Sequence, residues 1–222
     1  SPGPLHSGLS RVYRARVDRR LDLAALVLAA GAGSRFGGEP GAKLLAEIDG
    51  QPMLEHVLVQ VRAFGPVVTV VVLGEGASRI EEAIAWRDEI RVRNHQPARG
   101  LSSSLQVGID ALRALPGSFD GAFIVLGDQP RLRSDAMRAL ATTAVDAHPA
   151  GRPVVVPRYA ASGPRNPVLL LRPAWPWVDE IEGDHGLGQL IQPRPDQVVE
   201  VPVGGSMPDV DRPSDIAKAE ER

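Results

Sequence analysis

The stretch LAALVLAAGAGSRFGGEPGAK, residues 23–43, limits the possible folds of this chain more than any other segment. Residues 23–30 carry no polar side chain, and ALVLAA (25–30) reads as a strand buried on both faces. A glycine-rich loop follows it directly. One or two glycines are enough for a turn, whereas this loop also holds Arg35 and Lys43. The question is what a bare backbone and two cations are there to bind. A dinucleotide fingerprint starting at Gly31 and Gly33 would need glycine at 36, where the chain has Phe36. A P-loop needs a Gly-Lys pair, and the segment has none. A plain flexible connection leaves Arg35 and Lys43 unexplained. What remains is a phosphate cradle of another design. Backbone N–H groups around Gly31 and Gly33 form an anion-binding concavity, Arg35 offers a bidentate fork, and Lys43 adds a mobile point charge.

Short apolar runs alternate with amphipathic stretches through the rest of the chain. The pattern predicts helices over 51–64, 77–88, 102–115, 134–147 and 214–222, and further strands over 67–74, 121–126, 152–159 and 166–173. Ser134 and the serines at 102–104 are available as N-caps, and Pro52 suits a first helical turn. Apolar strands alternating with helices indicate an α/β fold, a parallel sheet covered on both faces. Ligands of such sheets sit beyond the carboxyl ends of the strands, near the topological switch point. Three polar clusters follow or precede strands in that way: the glycine loop, GDQP (127–130) and SGPRNP (162–167). They are expected to converge on one crevice. The irregular stretch from about 150 to 208 is expected to wall that crevice. Residues 1–22 are basic but lack the apolar run of a secretory signal, and read as a flexible extension before a single domain over 23–222.

Composition removes other classes. Lys and Arg number 25 against 27 Asp and Glu, so no basic excess points to nucleic acid. The absence of cysteine excludes disulfides, zinc–thiolate and iron–sulfur sites and a thiol nucleophile, and fits a cytoplasmic location. No apolar run reaches the roughly eighteen residues of a membrane span. The five histidines, His6, His56, His95, His148 and His185, show no metal-ligand spacing.

Together, LAAGAGSRFGG…K, GLSSSLQVGI, GDQP, RNPVLL, GDHG and DVDRPSDI resemble the molybdenum-cofactor nucleotidyltransferases over roughly residues 24–218, with the cytidylyltransferase branch most similar. The resemblance implies a three-layer Rossmann-like sandwich of the nucleotide-diphospho-sugar transferase type with a mostly parallel sheet. It implies transfer of CMP from CTP to the terminal phosphate of a molybdopterin-type cofactor, with Mg²⁺ (or Mn²⁺) and release of pyrophosphate. A guanylyl- or other nucleotidyltransferase with a different phosphorylated acceptor is the alternative within the fold. A non-catalytic accessory protein that serves a molybdenum oxidoreductase is the alternative outside it.

Residue by residue, the resemblance gives Arg35, Lys43 and Asp128 the catalytic roles. Leu28, Ala29, Ala30, Gly31 and Gly33 would bind the nucleotide, and Ser102, Ser103 and Ser104 would line base and ribose. Asp128 suits a Mg²⁺ that takes one or two protein carboxylates and completes its shell with phosphates and water. Asp211 is the second carboxylate, with Asp209 as its rival. Arg165, Asn166 and Asp184 fall on the acceptor side. Guanylyl members usually have glycine where this chain has Ala30, which favours CTP. The chain departs from the family pattern at GEPGA (38–42), an insertion before Lys43 that could arch outward. It departs again at Arg165, which stands inside the usual Gly-Asn-Pro, and at Arg212 after Asp211.

Overall fold

The computed structural model describes residues 20–31, 33, 36, 39–160, 165–184, 187–205 and 215. Arg35, Asp209, Asp211, His185, most of the N-terminal extension and nearly all of the expected helix at 214–222 lie outside the described residues.

Seven strands form one sheet: β1 (Leu23–Ala29), β4 (Thr69–Leu73), β5 (Ile90–Arg93), β6 (Gly121–Leu126), β7 (Val154–Arg158), β8 (Val168–Leu171) and β9 (Val198–Pro202). The spatial order is β5-β4-β1-β6-β8-β7-β9, parallel except for β8, which runs antiparallel to both of its neighbours. A two-residue hairpin joins β2 (Glu47–Ile48) to β3 (Gln51–Pro52) through Asp49 and Gly50, both at positive φ. This is the Asp-Gly signature of a tight turn.

Strand residues alternate strictly between the two covering layers. Ala25, Val27, Ala29, Val71, Phe123 and Val125 pack with α2 (Met53–Phe64) and α5 (Ser134–Ala147). Ala24, Leu26, Leu28, Val70, Ala122 and Ile124 pack on the other face. There they meet α4 (Leu101–Ala114) and the helical turns of Arg172–Glu180, which contribute Trp175 and Val178. The result is the expected three-layer α/β sandwich. Gly108 lets α4 come close to β1, since a Cβ there would lie 2.3 Å from a Leu26 methyl.

One helix boundary and one helix cap differ from the sequence pattern for physical reasons. Helix α3 (Ala77–Ala83) stops short of residue 88 because Ile84 turns extended and the chain after it is held by ionic contacts. Arg62 donates to Ala85 O at 2.9 Å and to Glu89 Oε1 at 2.6 Å, and Glu89 Oε2 accepts from Arg87 N at 2.7 Å. Helix α5 starts at Ser134, with Arg133 in the cap position, and Asp135 Oδ1 takes the Ala136 N–H at 2.8 Å. The edge strands β5 and β9 escape the sequence reading because charged residues interrupt their apolar pattern. No helix among the described residues is long and apolar enough to cross a membrane.

Arg62, Glu89 and Glu55 form a largely buried ionic cluster between α2 and the segment after α3, with Arg62 Nη1 also 2.6 Å from Glu55 Oε1. Burial pushes the Glu89 carboxyl up, but the hydrogen bonds from Arg62 and Arg87 N outweigh it and leave it below its ordinary 4.5. A depressed folded value stabilises the protein at pH above the ordinary carboxylate range, and that contribution disappears as pH falls through the folded value. Arg62→Met strands two carboxylates and is expected to cost about 3 kcal/mol or more in chemical denaturation at neutral pH. Glu89→Gln is expected to flatten the decline of Tm on acidification below pH 4.5; an unchanged slope would remove Glu89 from acid sensitivity.

Candidate functional site

The sheet order reverses between β4 and β6 around β1, so the carboxyl ends of β1 and β6 open a crevice at the switch point. Because β8 is antiparallel, its amino end lies at this same edge, which brings Arg165 and Asn166 to it. The three polar clusters singled out in the sequence therefore reach one end of the sheet.

Lys43 and Asp128 meet there. Lys43 lies on α1 (Ala42–Leu45), and Asp128 follows β6. Nζ stands 2.6 Å from Asp128 Oδ2, with the lysine side chain 10% and the aspartate 35% exposed. Gly33 sits at φ +60°, and a Cβ on it would lie 3.0 Å from Lys43 Cβ. The glycine loop thus lies directly on the lysine stem. Residues 39–42 of the insertion before Lys43 do not arch outward. Glu39 pairs with Arg79 at 2.7 Å, while Gly41 at φ +85° starts α1 against Gly76 and Ile80.

Two hollows share the end of β1. The smaller, about 80 Å³, is lined by Ala30, Gly31, Pro40, Glu75, Gly76 and Pro97, together with Ala98. The larger, about 950 Å³, has a largely aliphatic wall in which Leu28, Leu101, Leu126, Val168 and Ile191 take part. Arg165, Asn166, Gln192 and Glu200 supply its polar groups. Its size falls within the usual range for ligand cavities, whereas the smaller hollow has room for only part of a nucleotide. Leu28 therefore faces one hollow, and Ala30 and Gly31 face the other. Ala29 packs inward, its Cβ within 3.2 Å of where a Gly127 Cβ would stand.

The serines are buried at the start of α4. Asn94 Nδ2 donates to Ser103 Oγ at 2.9 Å and to Ser104 Oγ at 3.0 Å, and Ser103 Oγ is 2.8 Å from Gly100 O. Ser102 N donates to Gly183 O at 3.2 Å. Gly100, at φ +91°, touches the 183–184 backbone so closely that a Cβ would lie 2.4 Å from Gly183 C. Asp184 is itself exposed, and its backbone forms part of this contact. Arg165 Nη1 is 3.0 Å from Glu200 Oε1. The Asn166 carbonyl accepts from Tyr159 Oη at 2.8 Å. Burial, helped by Asp135 and opposed by Arg133, pushes the Tyr159 phenol up to about 12, so it remains a donor at neutral pH.

Sequence reasoning overlooked Gly74, Glu75 and Gly76, the counterpart of the glycine loop at the end of β4. A Cβ on Gly74 would lie 2.5 Å from Ala30 O. Two glycines directly after a fully apolar run were the available signal. It also overlooked Asn94, which carries no pattern beyond its place after an alternating strand. Leu187, Ile191, Gln192 and Glu200 come from the stretch expected to wall the crevice but were not singled out one by one, Ile191 ending a short helix (Gly188–Ile191) and Glu200 lying in the edge strand β9.

Among the described residues, no three His, Asp or Glu side chains stand together as a protein-built metal cage. Asp128, a lone and partly exposed carboxylate at a strand end, fits a divalent ion whose remaining ligands are phosphates and water.

A family model described as the MobA-like NTP transferase domain matches residues 25–199. The bifunctional protein GlmU of Bordetella petrii is 34% identical over 115 residues, 52% of this chain and 25% of that protein. The matched segment thus spans about a quarter of such curated relatives. Among solved structures, Rv0371c of Mycobacterium tuberculosis H37Rv has 28% identity and a TM-score of 0.74, covering 92% of this chain and 100% of that one. A complex of the same mycobacterial protein with manganese aligns at 27% identity and TM-score 0.72, covering 90% and 98%. A nucleotidyl transferase from Methanothermobacter thermautotroptrophicus (Mth528) aligns at 26% identity and TM-score 0.71, covering 90% and 96%.

Asn94→Leu removes the donor shared by two serines and the acceptor for Gln96 N, whose bond is 2.9 Å. The expected cost is about 2 kcal/mol in denaturant unfolding, with faster amide exchange confined to residues 94–104. A variant with wild-type exchange there would show that Asn94 does not hold this segment.

Proposed function

This chain belongs to the MobA-like NTP transferase domain family, and on that premise we propose that it transfers a nucleotidyl group from an NTP to a phosphorylated acceptor, releasing pyrophosphate. The observation that carries the reading is the Lys43–Asp128 pair beside the carboxyl end of the sheet, the end at which β1 gives Leu28 to the large hollow and the chain just after it gives Ala30 and Gly31 to the small one. The small hollow by Ala30 and Gly31 takes part of the nucleotide, whose phosphates run along the glycine loop towards Lys43 and Arg35. The serine segment faces the base and ribose. The large hollow takes the acceptor, and its volume and aliphatic wall favour a bulky cyclic body over a small sugar phosphate.

In the finer form of the proposal the nucleotide is CTP, on the strength of Ala30, and the acceptor is of the molybdopterin type. Arg165 and Asn166 contact it, with Asp184 at the loop nearby. A phosphate monoester is already largely anionic at neutral pH, so the chemistry needs no general base. An acceptor oxygen attacks the α-phosphorus, the bond from that phosphorus to the bridging oxygen breaks, and the electron pair leaves with pyrophosphate. The chain's part is alignment and charge neutralisation: Lys43 and Arg35 on the phosphates, Asp128 with Asp211 as anchor for Mg²⁺ or Mn²⁺. The metal supplies Lewis-acid neutralisation of the charge developing on the phosphates. The complex of the mycobacterial relative with manganese supports a divalent ion as cofactor.

Isothermal titration with Mg²⁺ is expected to show CTP binding at least tenfold more tightly than GTP. Equal or tighter GTP binding would replace the cytidylyl assignment with a guanylyl one. Nucleotide binding without pyrophosphate release in the presence of acceptor would favour the accessory role. Asp128→Asn is expected to lower turnover by a factor corresponding to roughly 3 kcal/mol or more while leaving Tm close to wild type. Gly33→Val, which strains a left-handed backbone and pushes on the Lys43 stem, is expected to weaken CTP binding more than it lowers Tm.

A further inference from the structure

Two features of the Lys43–Asp128 pair bear on the order in which ligands enter. The first is position: Nζ lies 2.6 Å from Asp128 Oδ2. A divalent ion such as Mg²⁺ bonds a carboxylate oxygen at about 2.0–2.1 Å, so an ammonium on that oxygen occupies the cation's place and repels its charge. The second is unequal burial. The lysine stem is enclosed against Gly33, whereas Asp128 is one-third exposed. The ammonium ends a flexible four-carbon stem and can swing by bond rotation, without a backbone shift.

We propose that Lys43 is the resident counter-ion of Asp128, and that nucleotide and metal replace it by exchange. The proposal rests on the nucleotidyl-transfer reading and adds to it an order of binding. The triphosphate draws the ammonium off the carboxylate, and Asp128 then receives the divalent ion with its charge uncompensated. In the absence of nucleotide the ammonium competes with metal for the carboxylate, so metal alone binds weakly. The site thereby takes up the ion together with its phosphate ligands and discriminates against the ion by itself. Coupling of this kind is reciprocal: the factor by which CTP tightens metal binding is the factor by which metal tightens CTP binding.

The test is direct titration of Mn²⁺ alone, followed by the electron paramagnetic resonance signal of the free ion, on folded wild type, Lys43→Met, Asp128→Asn and the double variant. Each is then repeated with saturating CTP. Lys43→Met is expected to bind Mn²⁺ alone at least tenfold more tightly than wild type, and the double variant is expected to lose that gain. CTP is expected to tighten Mn²⁺ binding at least tenfold in wild type and by a clearly smaller factor in Lys43→Met. A Lys43→Met protein with wild-type affinity for Mn²⁺ alone overturns the exchange, and so does a gain that survives in the double variant. If methionine disturbs folding, Lys43→Gln takes its place, with Lys43→Arg as the charge-retaining control expected to stay near wild type. Wild type that binds no nucleotide overturns the transfer reading, and the Mn²⁺ arm still decides the exchange. Wild type that binds and transfers, with Lys43→Met unchanged towards Mn²⁺, overturns the exchange alone.

Discussion

β1 is covered on both faces by helices and on both edges by parallel strands, so its backbone reaches solvent only where the strand ends. At that end the neighbouring chains crowd in. Gly74 lies against the Ala30 backbone, and Gly127 donates its N–H to Leu28 O at 2.9 Å. A Cβ on Gly74 would strike Ala30 O and one on Gly127 would press on Ala29 and Leu28 O, so these two segments bring glycine to the end of β1 for close approach. Charged side chains then come from outside the strands, Asp128 just beyond β6 and Lys43 from α1.

The same pairing of charges serves two different ends in this molecule. Around Arg62, Glu89 is buried and Glu55 largely so, Glu89 also accepts from a backbone N–H, and the guanidinium fork fixes each contact in direction. One acceptor of that cluster, Glu55 Oε2, is buried without a partner among the described residues. Such a network resists rearrangement, because moving any member leaves a bare charge in the interior. At the crevice the acid is partly exposed and the base is a single ammonium on a flexible stem. Water covers part of the cost of separating that pair. Burial and side-chain geometry therefore divide the ionic contacts into one that holds the fold and one able to exchange partners.

The central layer was legible because burial on both faces writes an unbroken apolar run, and β1, β4, β6 and β8 all carry one. That Lys43 and Asp128 reach the same end of the sheet was legible because the glycine-rich connection after β1 carries the lysine and GDQP follows β6 directly. The edge strands β5 and β9 were not. A strand with one edge in solvent admits charges such as Arg91 and Glu200, and the apolar signal is lost. The length of α3 was hidden for a different reason. Its sequence favours helix up to residue 88, and only the long-range grip of Arg62 on Ala85 and Glu89 turns the chain aside. Asn94 illustrates a third limit: its role depends on serines brought to it by folding, which local pattern does not encode.

The start of α4 meets both the 183–184 backbone and the large hollow. The Gly183 carbonyl accepts from Ser102 N and so caps the helix that carries the serines. Leu187 and Gly188 line the large hollow. Gly100 makes the contact tight: with a Cβ 2.4 Å from Gly183 C, neither backbone has room to move towards the other. Leu101 belongs to the first turn of α4 and also lines the large hollow, so the contact between Gly100 and Gly183 bounds the same helix start that walls that hollow.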